Sequence, residues 1–176
     1  MATNTSKVKK ISPTYLRNVA LWYLERFGGT RHRVRQVLHR RAEEAAQVHG
    51  EDPHTGQWIE DVLDELENFG HLNDLLFAQS RVQRGLRQGK SRRLIEQELS
   101  NAGVSSAIQQ EAISTLDMSN DDQEIQAART YVARHRLGYL RDDPESFEQK
   151  DLARLARRGF SYQTARRALG GDCGQD

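Results

Sequence analysis

Apolar residues recur at intervals of three and four along most of the chain, a period typical of amphipathic helices. After Ser12 and Pro13, five apolar residues form one stripe along a predicted helix: Leu16, Ala20, Tyr23, Leu24 and Phe27. Continuous runs of β-branched residues, which are typical of strands, are missing. The predicted helices cover about residues 12–27, 31–46 and 58–69, a segment that begins at Asn73 or Asp74, and then 92–102, 106–117, 122–136, 146–158 and 162–169.

Two stretches of the chain match one another without a gap at an offset of 61 residues, "GGTRHRVRQVL" (28–38) and "GKSRRLIEQEL" (89–99). Both have the form G-x-[ST]-R-x-x-[VI]-x-x-x-L. We expect Thr30 and Ser91 to be helix N-caps, because their hydroxyl oxygens can accept hydrogen bonds from the free N–H groups of a first helical turn. Each stretch therefore predicts the end of one helix and the start of the next.

The second of these stretches contains Gly89-Lys90-Ser91, which resembles the end of a phosphate-binding loop. Such a loop has the form G-x-x-x-x-G-K-[ST] and follows a buried strand. Here Arg84 occupies the position of the first glycine, and the preceding residues 77–84 are polar and show no strand period. The helix boundary is therefore the better interpretation, and no ATPase is expected.

A second pair of matching stretches marks two tight corners between helices, "LSNAGVSSA" (99–107) and "LARRGFSYQ" (155–163). In each, Gly103 or Gly159 is placed to end a helix in the left-handed conformation, which costs glycine little. The serine two positions later is expected to cap the following helix.

Together these signals predict an all-α fold of three tandem three-helix repeats that form an elongated, curved, solenoid-like arc. The expected organisation is a disordered basic N-terminus over 1–11, repeat one over 12–72 with an inserted loop at 43–57, repeat two over 73–117, repeat three over 121–170, and a flexible tail over 171–176.

The composition fits a thin helical protein. The 176 residues are 36% hydrophobic and 29% charged, which leaves little apolar material for a thick core. No apolar stretch reaches the roughly 18 residues of a membrane span, and the N-terminus lacks the apolar middle of a secretory signal. The single cysteine, Cys173, cannot form an internal disulfide. A reducing cytoplasm is the expected location.

Charge alternates in blocks along the chain. The formal charge is +7 over residues 1–50, −8 over 51–76, +3 over 77–116, −4 over 117–151 and +3 over 152–176. A simple DNA-binding domain usually has a clear basic excess. Alternating blocks instead favour a partner of mixed charge, such as a protein filament that carries nucleic acid.

Three stretches, two of which include the motifs described above, resemble the RecX family of bacterial regulatory proteins: "GHLNDLLFA" (70–78), "GKSRRLIEQELSNAGV" (89–104) and "LARRGFSYQTARRAL" (155–169). The first matches the family's Gly-x-Leu-[Asn/Asp]-Asp-x-x-[Phe/Tyr]-Ala signature through Gly70, Leu72, Asn73, Asp74, Phe77 and Ala78. The motifs occur in the family's order, and the resemblance covers about residues 14–170.

The resemblance implies a non-enzymatic protein without catalytic residues or cofactor. Its expected partners are the RecA recombinase and the RecA filament on single-stranded DNA. It would lie in the filament groove and limit filament extension, ATP hydrolysis and strand exchange, thereby restraining recombination and the SOS response. The segment 43–57 is longer than the corresponding connection in the family.

Basic helix faces are the best candidates for partner contact, because arginine binds both phosphate and carboxylate with two parallel hydrogen bonds. The leading candidates form two clusters, Arg84, Arg87, Lys90, Arg92 and Arg93, and Arg154, Arg157, Arg158, Arg166 and Arg167. A weaker set comprises Arg31, Arg33, Arg35, Arg40 and Arg41, together with Tyr139, a loop aromatic that could stack on a base.

Other residues receive structural interpretations. The acidic stretch Glu60, Asp61, Asp64, Glu65 and Glu67 either solvates a helix or limits indiscriminate DNA binding. The aromatic residues Trp22, Trp58, Phe69, Phe77 and Phe160 are predicted to lie in the core. His32 and His39 are two helical turns apart, too far to share a metal ion, so no metal site is expected.

The alternative function is a helix-turn-helix regulator that binds double-stranded DNA, with the corner at 101–106 as its turn. Against it, the segment 106–117 that would read bases contains no Lys or Arg. A reader of palindromic DNA would be a dimer, whereas a groove-bound modulator is expected to be a monomer. Weak direct DNA binding is compatible with either.

Overall fold

The computed structural model describes residues 8–115, 121–140, 142 and 148–171, and every regular element in these ranges is helical. The helices are α1 (Pro13–Phe27), α2 (Arg31–His49), α3 (Thr55–Asn68), α4 (Asp74–Arg87), α5 (Arg92–Asn101), α6 (Ser106–Thr115), α7 (Asp121–His135), α8 (Glu148–Arg157) and α9 (Tyr162–Arg166). A 3₁₀ turn (Gly138–Leu140) follows α7, and a π-helical turn (Arg167–Gly171) follows α9. The all-α prediction is confirmed.

The described helices belong to two compact units. Unit 1 lies within Met1–Phe77 and also includes Ala102–Val104, and unit 2 lies within Ala78–Asn101 and Ser105–Asp176. The division into three repeats stays a prediction. None of the described helices is both long and apolar enough to cross a membrane. Most of the two predicted disordered ends, 1–11 and 171–176, lies outside the described residues, as does Cys173.

Unit 1 has a core built from one apolar stripe on each of its three helices. The buried residues are Leu16 and Ala20 from α1, Val34, Leu38 and Ala42 from α2, Ile59, Val62, Leu63 and Leu66 from α3, and Leu72. Fully burying a Leu, Ile or Val side chain of this core stabilises the fold by about 1.5–3 kcal/mol. Ile11, from the segment predicted to be disordered, also contacts this core.

The predicted helix caps are confirmed. The hydroxyl oxygens of Ser12, Thr30 and Ser91 each accept a hydrogen bond from the amide three residues later, at 3.2 Å in all three cases. Pro13 occupies the first position of α1, where its missing N–H costs nothing. Ser161 caps α9 in the same way, at 3.0 Å from the amide of Thr164.

The inserted loop predicted at 43–57 is mostly helical, which corrects its boundaries. Helix α2 continues to His49, and α3 begins at Thr55, so residues 50–54 form the connection. The extension follows from the sequence, because the buried Ala42 and Ala45 continue the apolar stripe of α2. Gly50, with φ at 82°, then ends the helix.

The prediction for the five aromatic residues is only partly correct. Phe160 is buried, and Trp58 and Phe77 are half-buried. In contrast, Trp22 is 55% exposed and Phe69 is 72% exposed. Trp22 lies off the buried stripe of α1, and Phe69 follows the last turn of α3, where the chain leaves the core.

Unit 2 has its main core around α7, α8 and α9. The buried residues are Ala127, Ala128, Tyr131, Val132, Leu137, Leu155, Phe160, Ala165 and Ala168. The end of α4 contacts this core closely, because a Cβ atom added to Gly89 would lie 2.7 Å from the backbone nitrogen of Tyr131. This contact places the basic cluster around Lys90, which we call the second cluster, beside α7; the cluster on α2 is the first and the cluster around Arg158 is the third.

Candidate functional site

The weaker basic cluster on α2 is largely neutralised within unit 1. Arg31 forms ion pairs with three carboxylates of α3, at 2.7–2.9 Å, and these belong to Glu60, Asp64 and Glu67. Arg35 donates two hydrogen bonds to the carboxylate of Glu60, from Nε at 2.6 Å and from Nη2 at 2.8 Å. The acidic stretch of α3 therefore holds α2 and α3 together.

The electrostatics of these pairs have a clear direction. Hydrogen bonding from Arg35 lowers the pKa of Glu60 to about 2, Arg31 adds to the effect, and burial opposes it. Burial also opposes the charged form of Arg31, but hydrogen bonds to Asp64 and Glu60 outweigh burial and raise the pKa of its guanidinium. Of the remaining α2 arginines, Arg41 pairs with Glu44, while Arg33 and Arg40 are exposed.

In the second cluster, two of the five cations pair with carboxylates of α5. Lys90 Nζ lies 2.6 Å from a carboxylate oxygen of Glu98. Arg92 Nε lies 2.8 Å from Glu96, one helical turn away. No described carboxylate forms an ion pair with the exposed residues Arg84, Arg87 and Arg93. Gly89-Lys90-Ser91 joins two helices rather than a strand and a helix, as predicted.

The third cluster lies on α8 and α9. Arg154 is half-buried, and Arg157, Arg158 and Arg166 are exposed, whereas Arg167 is half-buried in the π-helical turn. None of Arg154, Arg157 and Arg158 forms an ion pair with a carboxylate in the ranges that the structure covers. Tyr139, in the 3₁₀ turn, is 57% exposed, but its neighbour Arg141 lies outside the described residues.

The second and third clusters adjoin in unit 2. Ser91 Oγ donates a hydrogen bond to the carbonyl oxygen of Arg158 at 2.5 Å. A Cβ atom added to Gly159 would lie 3.4 Å from Cβ of Arg93. Arg134, from α7, donates to the carbonyl oxygen of Arg87 at 3.4 Å. We call the resulting set of Arg87, Arg93, Arg134, Arg154 and Arg158 the unit 2 basic surface.

Tyr131 and His135 lie among the arginines of this surface. Their rings are 4.3 Å apart between centroids. The guanidinium carbon of Arg158 lies 5.1 Å from the Tyr131 ring centroid, a cation–π distance. Arg154 Nη2 lies 3.4 Å from His135 Nδ1.

The arginines change the acid–base behaviour of both rings. Burial disfavours the ionised Tyr131 phenol, but hydrogen bonding from Arg158 and Arg154 outweighs burial, so its pKa lies below the ordinary value. Burial lowers the pKa of His135, and the positive charges of Arg154, Arg158 and Arg134 lower it further. The arginines contribute to both shifts, and the positive charge that they place around the rings favours bound anions.

Sequence reasoning missed Tyr131, Arg134 and His135. Their spacing was the available signal, because residues at i, i+3 and i+4 share one helix face. Arg154 and Arg158 have the same four-residue spacing at the end of α8. Within the described part of the chain, no group of three His, Cys, Asp or Glu side chains could hold a metal ion. The arginines of this surface that have no carboxylate partner among the described residues give it the chemistry of anion binding.

Comparisons with known proteins agree with the sequence motifs. The family model for the second three-helix domain of RecX matches residues 73–113. The chain is 35% identical over 165 residues to the regulatory protein RecX of Myxococcus xanthus, and the match covers 92% of this chain and 87% of the relative. It is 31% identical over 176 residues to the regulatory protein RecX of Streptomyces coelicolor, with 96% and 85% covered.

Two crystal structures share the fold. RecX from Lactobacillus salivarius superposes with a TM-score of 0.67 at 22% identity, over 90% of this chain and 95% of that one. A second regulatory protein RecX superposes with a TM-score of 0.65 at 17% identity, over 91% of this chain and 72% of the other.

Proposed function

The chain belongs to the RecX family of regulatory proteins, and on this premise we propose that it regulates the RecA recombinase. It binds the RecA filament on single-stranded DNA in the filament groove. There it limits filament extension, ATP hydrolysis and strand exchange, and so restrains recombination and the SOS response. It acts in the cytoplasm as a monomer, without catalysis and without a cofactor.

The observation that carries this proposal is the joining of two basic clusters in unit 2. Arg87 and Arg93 come from the helices on either side of Gly89, and Arg158 comes from a corner more than 60 residues later. A nucleoprotein filament presents phosphates from DNA and carboxylates from protein. Arginines without internal carboxylate partners can bind both kinds of group.

The internal pairs indicate which arginines to test. Arg31, Arg35 and Arg92 are held by carboxylates of their own chain, so their substitution would perturb folding as well as binding. Arg93 and Arg158 are exposed and have no such pair among the described residues. Charge reversal at these two positions therefore tests the surface without breaking an ion pair of the fold.

The test measures single-strand-dependent ATP hydrolysis by RecA while this protein is added at sub-stoichiometric ratios. We expect the wild-type protein to lower the rate at few copies per filament. The double variant Arg93→Glu/Arg158→Glu should need about tenfold more protein for the same effect, because it loses two charge-assisted contacts. Arg129→Glu, at an exposed arginine of α7 that belongs to none of the basic clusters, is the matched control and should behave as wild type. An unchanged rate at one copy of wild-type protein per RecA contradicts the proposal.

Binding of double-stranded DNA by a helix-turn-helix motif is the alternative. It has less support, because α6 (Ser106–Thr115) contains no Lys or Arg for base contacts. Light scattering and electrophoretic mobility shifts separate the two functions. A dimer that shifts duplex DNA in the absence of RecA would favour the alternative, and a monomer that inhibits RecA would exclude it.

A further inference from the structure

We propose that Tyr131, His135, Arg154 and Arg158 form a binding site for backbone phosphates of single-stranded nucleic acid, and that phosphate binding transfers a proton from solvent to His135. The site rests on the proposed function, since it lies within the unit 2 basic surface. Its test needs no recombinase, so the two ideas can fail separately.

The positive charge of this site has no compensating carboxylate among the described residues. Arg154 and Arg158 contact one pair of aromatic rings, and the charge of Arg134 also acts on His135. No described carboxylate forms an ion pair with any of the three. The contrast with unit 1 is clear, because Arg31 alone pairs with three carboxylates there. Cations held close together repel one another, and a bound anion removes that repulsion.

Packing fixes Tyr131 and the backbone of Arg158 before a ligand arrives. Tyr131 is 4% exposed and belongs to the unit 2 core. Gly89 packs closely against the backbone of Tyr131, and the guanidinium of Arg158 lies over the Tyr131 ring. The carbonyl of Arg158 is fixed by Ser91 Oγ at 2.5 Å. Little conformational entropy is therefore lost when an anion binds, which favours affinity.

The neighbours of His135 set its protonation state. Arg154 Nη2 donates toward its Nδ1 at 3.4 Å, an arrangement that needs an unprotonated nitrogen. The charged and titratable groups that face the ring are Tyr131 and Arg134 from its own helix and Arg154 and Arg158 from the end of α8. Asp151, a buried carboxylate of α8, accepts a hydrogen bond from the amide of Gly138 at 2.9 Å.

A bound phosphate counteracts the effect of the arginines on the protonation of His135. Its negative charge offsets the arginines that disfavour the imidazolium form, so the pKa of His135 rises on binding and the ring takes up a proton at Nδ1. Protonation ends the contact from Arg154, whose Nη2 is then available to the phosphate. Since the bound state holds the additional proton, affinity increases as the pH falls from the bound-state pKa toward the free-state pKa.

The first measurement follows the imidazole C–H signals of His135 by NMR as the pH changes, with and without a short oligothymidylate. The signals are assigned by comparison with His135→Gln. We expect the titration midpoint of His135 to move up when the oligonucleotide is present. The exposed His39 of unit 1 serves as the internal control, and its signals should be the same with and without the oligonucleotide. An unchanged midpoint for His135 would overturn the proton-linked part of the proposal.

The second measurement is the anisotropy of a fluorescein-labelled oligothymidylate titrated with the protein at about pH 8 and about pH 6. A rise of one unit in the His135 pKa corresponds to about tenfold tighter binding at the lower pH. His135→Gln should abolish most of this difference, and His39→Gln should keep it. Equal pH dependence in both variants would remove His135 from the site.

Two further variants test the arginines. Arg154→Gln/Arg158→Gln should weaken oligothymidylate binding by about tenfold or more, while Arg154→Lys/Arg158→Lys, which keeps both charges, should retain part of it. If the Gln variant binds as tightly as wild type and keeps the wild-type circular dichroism spectrum, the site is wrong.

If a polyglutamate of equal charge competes as well as the oligonucleotide, the surface selects acidic protein rather than phosphate, and this assignment falls. Oligonucleotide binding without inhibition of RecA would contradict the proposed function and leave the phosphate site supported.

Discussion

The hydroxyl of Ser91 donates a hydrogen bond to the carbonyl oxygen of Arg158 at 2.5 Å. Thr30 makes the equivalent bond to the carbonyl oxygen of Ala102, also at 2.5 Å. Both hydroxyl groups are fully buried. Each also caps its own helix, so one side chain serves two backbones at once. In each unit, one of the first pair of matching stretches supplies the hydroxyl group and one of the second pair supplies the carbonyl oxygen. The same contact therefore occurs once in unit 1 and once in unit 2.

Replacement of Ser91 by Ala should destabilise unit 2 by about 1–3 kcal/mol, because it removes a helix cap and leaves the carbonyl of Arg158 without this partner. Ser91→Thr keeps the hydroxyl and should recover most of the loss. Urea-induced unfolding followed by circular dichroism measures both. A loss below about 0.5 kcal/mol for Ser91→Ala would show that the hydrogen bond contributes little.

The sequence predicted both halves of this contact but not their pairing. Caps and left-handed glycines have local signals, because the first turn and last turn of a helix place their own chemical demands. The partner of Ser91 lies 67 residues away, and no local pattern specifies it. The same holds for the amide of Arg92, which donates to Glu124 at 3.0 Å, as the amide of Arg31 does to Asp74 at 2.9 Å.

Gly89→Ala should destabilise the protein much more than Gly70→Ala does. Both glycines have positive φ, 68° and 75°, so both substitutions strain the backbone by about 1–2 kcal/mol. At Gly70 no other atom lies within 4 Å of an added Cβ, whereas at Gly89 the methyl group would meet the backbone nitrogen of Tyr131 at 2.7 Å. Thermal unfolding of the two variants measures the difference. Equal melting temperatures would contradict the close approach of α4 and α7.

The exposed position of Trp22 can be tested by fluorescence. Trp58→Phe leaves Trp22 as the only tryptophan, and Trp22→Phe leaves the half-buried Trp58. We expect Trp22 to emit at longer wavelength and to be quenched more strongly by acrylamide, because 55% of its surface is accessible. Similar quenching of the two variants would indicate that Trp22 is buried, as the sequence predicted, and would contradict its exposed position.

For the candidate site, the sequence located the cations but could not tell which of them have partners. Arg31 and Arg158 both occur in dense basic segments. Arg31 is neutralised by α3, which follows one connection later, while Arg158 faces Tyr131. The difference arises from helix packing, which sets which faces meet. Charge counts along a sequence do not contain that information.

The ion pairs of Glu60 should make unit 1 sensitive to acid. The folded protein holds the pKa of Glu60 at about 2, below its ordinary value of 4.5, chiefly through Arg35. A group with a depressed pKa in the folded state stabilises the fold above its unfolded pKa. That contribution is lost as the pH falls from about 4.5 to about 2, because the unfolded chain takes up the proton first.

Glu60→Gln tests this dependence, since glutamine keeps the shape and removes the charge. Above about pH 5 the variant should be less stable than wild type in urea, and the gap should narrow steadily toward about pH 3. Other carboxylates of α3 add their own acid sensitivity to both proteins, so the difference between the two curves isolates Glu60. Glu43→Gln, at an exposed position of α2 with no ion pair among the described residues, should give no such difference at any pH. A gap between wild type and Glu60→Gln that stays constant with pH would mean that these ion pairs do not stabilise unit 1 through the charge of Glu60.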